Sequence, residues 1–319
     1  MKPKNKNQSG GLSMSIISEQ VRKNFKENDD IRDAGLVTPS GVVRYNDIVY
    51  GSDRYWQKLD VYRPTGTKEH LPVIISVHGG AWMYGDKERY QYYCMELAKE
   101  GFAVINFTYR LAPEYKFPAP LEDTALVIDW MVENSIQYGF DLKNVFALGD
   151  SAGAHILAKY ILLITNNYFK DILYAKYGVK VKYNICTLPQ LRVRSDVDAC
   201  IKAVALNCGV YRLNERDLEC YIPEYMPKGG NEEELKIMDI PSFVTEDFPP
   251  TYLMTGSEDF LKRQPIYMAE VFTQKNVPFI YRMYGDEINK LTHIFHCDIK
   301  SKDGIQCNKD ECKFFRSFI

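Results

Sequence analysis

Gly149-Asp150-Ser151-Ala152-Gly153 places a serine between two glycines, a spacing that suits a nucleophile. A serine hydroxyl attacks a carbonyl only when a base takes its proton and preorganised donors hold the oxyanion that forms. Residues 145–148, VFAL, form an apolar run of strand type, and AHILAKYILLI (154–164) reads as a helix. The serine therefore falls on a strand–turn–helix elbow, with a helix N-terminus and its free N–H groups beside it. Glycine is expected on both sides because side chains there would collide with the neighbouring strand and helix. Asp150 is expected to hydrogen-bond within the turn.

A second turn, His78-Gly79-Gly80-Ala81-Trp82, follows the apolar strand PVIISV. Two glycines let backbone approach a substrate without obstruction. The N–H groups of Gly79 and Gly80, with that of Ala152, are the expected oxyanion donors. His78 is expected to bond within its own turn. Trp82 and Tyr84 are candidates for the wall of a substrate pocket, although core packing suits either side chain equally.

In such an elbow the acid follows the nucleophile after a late strand. Thr251–Thr255 is that strand, and Glu258 and Asp259 lie in the loop after it; a loop aspartate also serves as a helix N-cap. The base must be one of five histidines. His70 precedes its strand and points to the wrong end of the sheet, His78 is in the glycine turn, and His155 packs one turn below Ser151. His293 and His296 remain.

The motifs HGGAW, YRLAPEYKFPAPLED (109–123), GDSAG and GSEDFL occur in that order. In this the chain resembles the hormone-sensitive-lipase-like family of esterases from about residue 45 to 296. KLDVYRP and SAGAH also resemble bacterial acetyl esterases and kynurenine-formamidase-like enzymes. The resemblance implies an α/β-hydrolase fold: a mostly parallel eight-stranded sheet, helices on both faces and a small cap. It selects Asp259, followed by one residue and Leu, as the acid, and His293, in His-x-Phe, as the base. It implies a serine carboxylesterase that cleaves short-chain acyl esters, acetyl among them, through an acyl-enzyme and without a metal or organic cofactor. An amidase or formamidase with the same triad is the alternative, and a ligand-binding homologue without catalysis is a third reading, opposed by the presence of His293. Glu122 and Asp123 are expected to brace the loops beside the site. The chain departs from the family at Ile294, where glycine is usual, so a differently shaped histidine loop is expected. The segment from Cys297 to Phe315 also departs. It is read as a cysteine-bearing surface loop; without C-x-x-C spacing it is not read as a zinc site.

The elements that must position these residues follow from hydrophobic periodicity. GVVRYNDIVYG and QKLDVYRP alternate like half-buried antiparallel strands. PVIISV, FAVINF, NVFALG, IKAVALN, PTYLMTG and PFIYRMY are compact runs of the kind that form parallel strands buried on both faces. Helices are expected at 87–100, 121–134 and 152–164, giving a doubly wound α/β sheet. Residues 1–13 are expected to be a disordered tail and 14–319 one domain. Within it, 14–34 and 211–245 are candidate cap segments, and 165–200 is a long connection.

Composition fits a globular enzyme: 45% of the 319 residues are hydrophobic and 26% charged. The formal net charge of −2 creates no field that would favour nucleic acid. No apolar run approaches a membrane span. Without a secretion signal the eight cysteines are read as thiols, buried for Cys94 and Cys208, and the location as cytoplasmic. The expected partner is a small-molecule ester; a homodimer is left open.

Overall fold

A computed structural model describes residues 15–68, 70–183, 185, 187 and 199–319. The expected tail at 1–13 lies outside them. Eight strands form one sheet in the order β1-β2-β4-β3-β5-β6-β7-β8. They are β1 (Val42–Val49), β2 (Lys58–Pro64), β3 (Leu71–Val77), β4 (Ala103–Phe107), β5 (Phe140–Asp150), β6 (Ile201–Asn207), β7 (Thr251–Gly256) and β8 (Phe279–Tyr284). β1 and β2 run antiparallel to their neighbours, and every pairing from β4 to β8 is parallel. Each apolar run picked out by periodicity lies in this sheet.

The helices are α1 (Ile16–Asp33), α2 (Lys87–Lys99), α3 (Ala119–Glu133), α4 (Ser135–Tyr138), α5 (Ala152–Thr165), α6 (Asn167–Tyr177), α7 (Ile222–Tyr225), α8 (Glu232–Met238), α9 (Gln264–Lys275) and α10 (Lys302–Arg316). One apolar cluster packs α3 and α5 on one face of the sheet; a second packs α2 and α10 on the other. β2 is buried on both faces, not half-buried, because α2 covers it. Among the described residues no helix is long and apolar enough to cross a membrane.

The C-terminal segment is not a surface loop. Gly304, Cys307, Glu311 and Phe314 recur every three to four residues and, with Phe315, are buried on one face of α10. Cys307 and Cys312 belong to the same apolar cluster as Phe102 and Phe146. Counting cysteine as an apolar residue would have revealed the helix.

α5 is buried along nearly its whole length, which lets it press its first turn against the end of β3. A Cβ built on Gly153 would stand 2.1 Å from the Val77 carbonyl oxygen and 2.5 Å from that of His78. Neither atom belongs to a flexible side chain. Gly153→Ala is therefore expected to destabilise the fold by about 3 kcal/mol or more, read from the urea midpoint at unchanged m-value. A midpoint equal to wild type would show that the contact relaxes freely.

Candidate active site

β5 ends at Asp150, and α5 begins at Ala152. Ser151 between them has φ +54°, a left-handed conformation rare outside glycine. It is held there by its own backbone: its N–H donates to the Asn207 carbonyl at 2.9 Å, and its carbonyl accepts from His155 and Val210. A Cβ on Gly149 would stand 2.6 Å from the Gly153 carbonyl oxygen. Both glycines of the motif are therefore required by close backbone approach.

His293 brings its Nε2 to 2.9 Å from Ser151 Oγ and its Nδ1 to 2.9 Å from Asp259 Oδ1. Asp259 is buried, while its neighbour Glu258 is exposed. Asp259 also accepts from the Leu261 N–H and the Thr255 hydroxyl. Burial alone would raise its carboxyl, but His293, the Leu261 N–H and the Cys208 thiol together hold it below the ordinary range. His296 does not join this line. It is fully buried beneath the site, and burial pushes it down to about 3, so it stays neutral.

The glycine turn departs from expectation at one position. The Gly79 N–H donates to the Tyr90 hydroxyl at 3.0 Å, and that hydroxyl donates to Asp150 Oδ2 at 2.6 Å. Gly79 therefore has no free donor. Its lack of a side chain serves another purpose, since a Cβ there would meet Asp150 Oδ2 at 2.7 Å and Ser151 Cβ at 3.2 Å. Gly80, Ala81 and Trp82 follow with φ of +116°, +52° and +61°. Among the described residues no partner is seen for the Gly80 and Ala81 N–H groups, and Ala152 N–H lies at the start of α5. Ala81 was not legible as a donor, because nothing in an alanine announces a left-handed turn. His78 bonds within the turn, with Nδ1 2.7 Å from the Gly79 carbonyl oxygen, and stacks on Tyr109 at 4.0 Å.

A cavity of about 580 Å³ opens over Ser151. α1 lines it with Phe25, Asn28, Asp29 and Arg32, and the 211–245 segment with Leu218 and Tyr221. α1 is pinned by Arg22, whose guanidinium forks onto Glu114 at 2.8 and 2.6 Å and donates to the Met83 carbonyl. Tyr84 lines the cavity and donates its hydroxyl to Asp29 at 2.9 Å. Trp82 is 1% exposed and stacks on Tyr225 at 4.6 Å, so it is a core side chain that closes one wall. Asp123 accepts from Arg110 N–H at 2.7 Å and from Gln57 at 2.6 Å, and Glu122 pairs with Arg110, which braces the loop beside the site.

Ile294 has φ +52°, in the left-handed region. That conformation explains why glycine suits the position; isoleucine bears a cost of about 1–2 kcal/mol there. Beneath the elbow lies a buried polar layer that sequence reasoning missed. Asn207, whose carbonyl holds Ser151, donates its side-chain amide to Glu311 of α10 at 2.7 Å. Asp150, His296 and Cys297 offer donor atoms within 4.8 Å of one another, a set whose types suit a metal. The Arg32 guanidinium lies close enough to act on both His296 and Cys297, and its charge opposes a cation there.

The sheet order and the serine elbow after β5 define an α/β hydrolase. A family model described as BD-FAE matches residues 59–265, well over half of the chain, and the protein belongs to that family. The chain is 28% identical over 225 residues to a versiconal hemiacetal acetate esterase of Dothistroma septosporum, covering 69% of this chain and 66% of that protein. It is 26% identical over 231 residues to a protein of Acanthamoeba polyphaga mimivirus named as an α/β hydrolase, covering 68% and 60%. The chain thus spans somewhat less than two thirds of the length of these relatives. Esterase B from Lactobacillus rhamnosis shares the fold with a TM-score of 0.81 at 23% identity, over 95% of this chain and 94% of that one.

Burial pushes Glu311 up to about 8 and Asp150 up to about 7, and the Asp150 charge adds to the rise of Glu311. A carboxyl that keeps its proton in the folded chain but loses it on unfolding favours folding at low pH. For Glu311 that contribution is complete below its ordinary value near 4.5 and is lost as pH rises towards about 8. Wild-type melting temperature is therefore expected to fall between pH 5 and pH 8.5. Glu311→Gln, which keeps an oxygen for Asn207, should flatten that fall. An equal fall in the variant would place its origin elsewhere.

Proposed function

We propose that this protein is a serine carboxylesterase in which Ser151 is the nucleophile, His293 the base and Asp259 the acid. The observation that carries this reading is the unbroken line Asp259–His293–Ser151, with both hydrogen bonds at 2.9 Å. The esterase named among its relatives supports it.

His293 takes the Ser151 proton as the oxygen attacks the ester carbonyl. The N–H groups of Gly80, Ala81 and Ala152 receive the developing oxyanion. Gly79 instead secures the turn through Tyr90. His293, now charged against Asp259, protonates the leaving alcohol, and water repeats the cycle on the acyl-enzyme. The left-handed backbone places Ser151 at the tip of the elbow, where it lines the cavity.

The substrate is a small ester with a short acyl group, acetyl included. A cavity of about 580 Å³ holds far more than an acetyl group, so it has room for a larger alcohol portion. α1 and residues 211–245 serve as the cap, since side chains from both line that space.

Hydrolysis of p-nitrophenyl esters of increasing acyl length tests the assignment. Ser151→Ala and His293→Ala should each lose roughly 10³- to 10⁶-fold in kcat, with folding intact by circular dichroism. A fluorophosphonate should label Ser151 in wild type. Wild-type activity in Ser151→Ala would overturn the mechanism, and faster turnover of matched anilides or formamides would make the enzyme an amidase.

A further inference from the structure

One buried hydroxyl lies at the junction of the glycine turn and the serine elbow. We propose that Tyr90 is a positioning residue whose hydroxyl fixes the oxyanion donors relative to the nucleophile. The proposal rests on the Ser151–His293–Asp259 reading.

Tyr90 lies near the start of α2 and is 4% exposed. An amide N–H can only donate, so the Tyr90 oxygen accepts from Gly79 at 3.0 Å, and the hydroxyl proton is left for Asp150 Oδ2 at 2.6 Å. Each partner adjoins a reacting group along the chain. Gly79 precedes Gly80, the first of the oxyanion donors, and Asp150 precedes Ser151. The two turns also touch here, because a Cβ on Gly79 would stand 2.7 Å from Asp150 Oδ2 and 3.2 Å from Ser151 Cβ. The hydroxyl therefore joins the backbone that carries the oxyanion donors to the backbone that carries the nucleophile.

The glycine turn needs such a hold. Gly80, Ala81 and Trp82 have positive φ in succession, and two of them bear a Cβ. Backbone of this kind persists only when its surroundings over-determine it. On the downstream side, the Met83 and Tyr84 N–H groups donate to the Gly80 carbonyl at 3.0 and 2.9 Å. The Ala112 N–H donates to the Trp82 carbonyl at 2.9 Å. On the upstream side, the Tyr109 hydroxyl donates to the His78 carbonyl at 2.9 Å, and Tyr90 receives the Gly79 N–H. Of these ties, that of Tyr90 continues to the elbow through Asp150. A donor displaced by a fraction of an ångström loses the oxyanion but leaves the entry of substrate unchanged.

Tyr90→Phe removes the hydroxyl alone and tests the assignment beside wild type, Ser151→Ala and Tyr93→Phe. Tyr93 is a second buried tyrosine of α2, and among the described residues its hydroxyl has no partner. With p-nitrophenyl acetate, Tyr90→Phe should lower kcat about 10- to 100-fold with KM within about threefold. The probe of the transition state is a trifluoromethyl ketone. Ser151 Oγ adds to its carbonyl carbon, His293 takes the serine proton, and the carbonyl oxygen becomes the oxyanion. Affinity of Tyr90→Phe for this ketone should fall by a factor similar to kcat, while acetate, the product, should bind as in wild type. Tyr93→Phe should match wild type in kcat and ketone affinity. In wild type labelled with ¹⁵N-glycine and ¹⁵N-alanine, the ketone should move the Gly80 and Ala81 amide protons downfield and leave that of Gly79 in place. This last readout does not depend on how any variant folds.

Three results overturn the proposal: wild-type kcat and ketone affinity in Tyr90→Phe, equal losses in Tyr93→Phe, or a Gly79 proton that moves with those of Gly80 and Ala81. Slower turnover without a matching loss of ketone affinity also overturns it, because the defect then lies outside the oxyanion turn. All of these leave the triad standing while Ser151→Ala is inactive. Wild-type hydrolysis by Ser151→Ala would instead defeat the triad reading itself.

Discussion

The site depends on how closely α5 can approach the end of β3. Gly153 removes the Cβ that would strike the Val77 carbonyl, and Gly149 removes the one that would strike α5 itself. Only with that approach does the chain turn tightly enough to leave Ser151 in a left-handed conformation. The strain is local, but the restraint is distributed: β6 supplies the Asn207 carbonyl, and the chain beyond β6 supplies the Val210 N–H. A strained residue persists when its surroundings over-determine it, and here three elements do so.

Behind the elbow, buried polar groups tie the remaining parts to it. Tyr90 of α2 receives the Gly79 N–H and donates to Asp150, so the glycine turn and the nucleophile turn share one hydroxyl. Glu311 of α10 meets Asn207, which holds Ser151 in turn. Burial raises both carboxyls, which favours their neutral forms and lessens the cost of the buried layer. The catalytic face is therefore wired to helices on the face of the sheet away from α5.

Above the elbow, polar contacts join α1 to the cavity. α1 reaches the cavity through a bidentate Arg22–Glu114 pair and a Tyr84–Asp29 bond. Its docking combines these polar contacts with Val21 in the core and Phe25 against Tyr84, whereas α5 is buried along nearly its whole length. This division matches the demands on each: the serine elbow needs fixed geometry, whereas side chains that only line the cavity set what fits.

The residues that make local geometry were legible from the amino-acid order alone. Glycines at 149 and 153, apolar runs of strand length and one helical period after Ser151 determine the elbow, because steric limits act between near neighbours. The strands themselves followed from the same kind of pattern, whereas the choice of Asp259 and His293 as acid and base rested on resemblance. Only the tertiary structure decided that the Gly79 N–H goes to Tyr90 and that, among the described residues, the Ala81 N–H has no partner. It alone also placed Glu311 and Cys208 behind the reacting groups. These outcomes depend on contacts between residues that are not near neighbours in the chain, set by which side chains the sheet brings together. A buried glutamate or cysteine has no local signature, because its energy comes from partners that only the folded chain supplies.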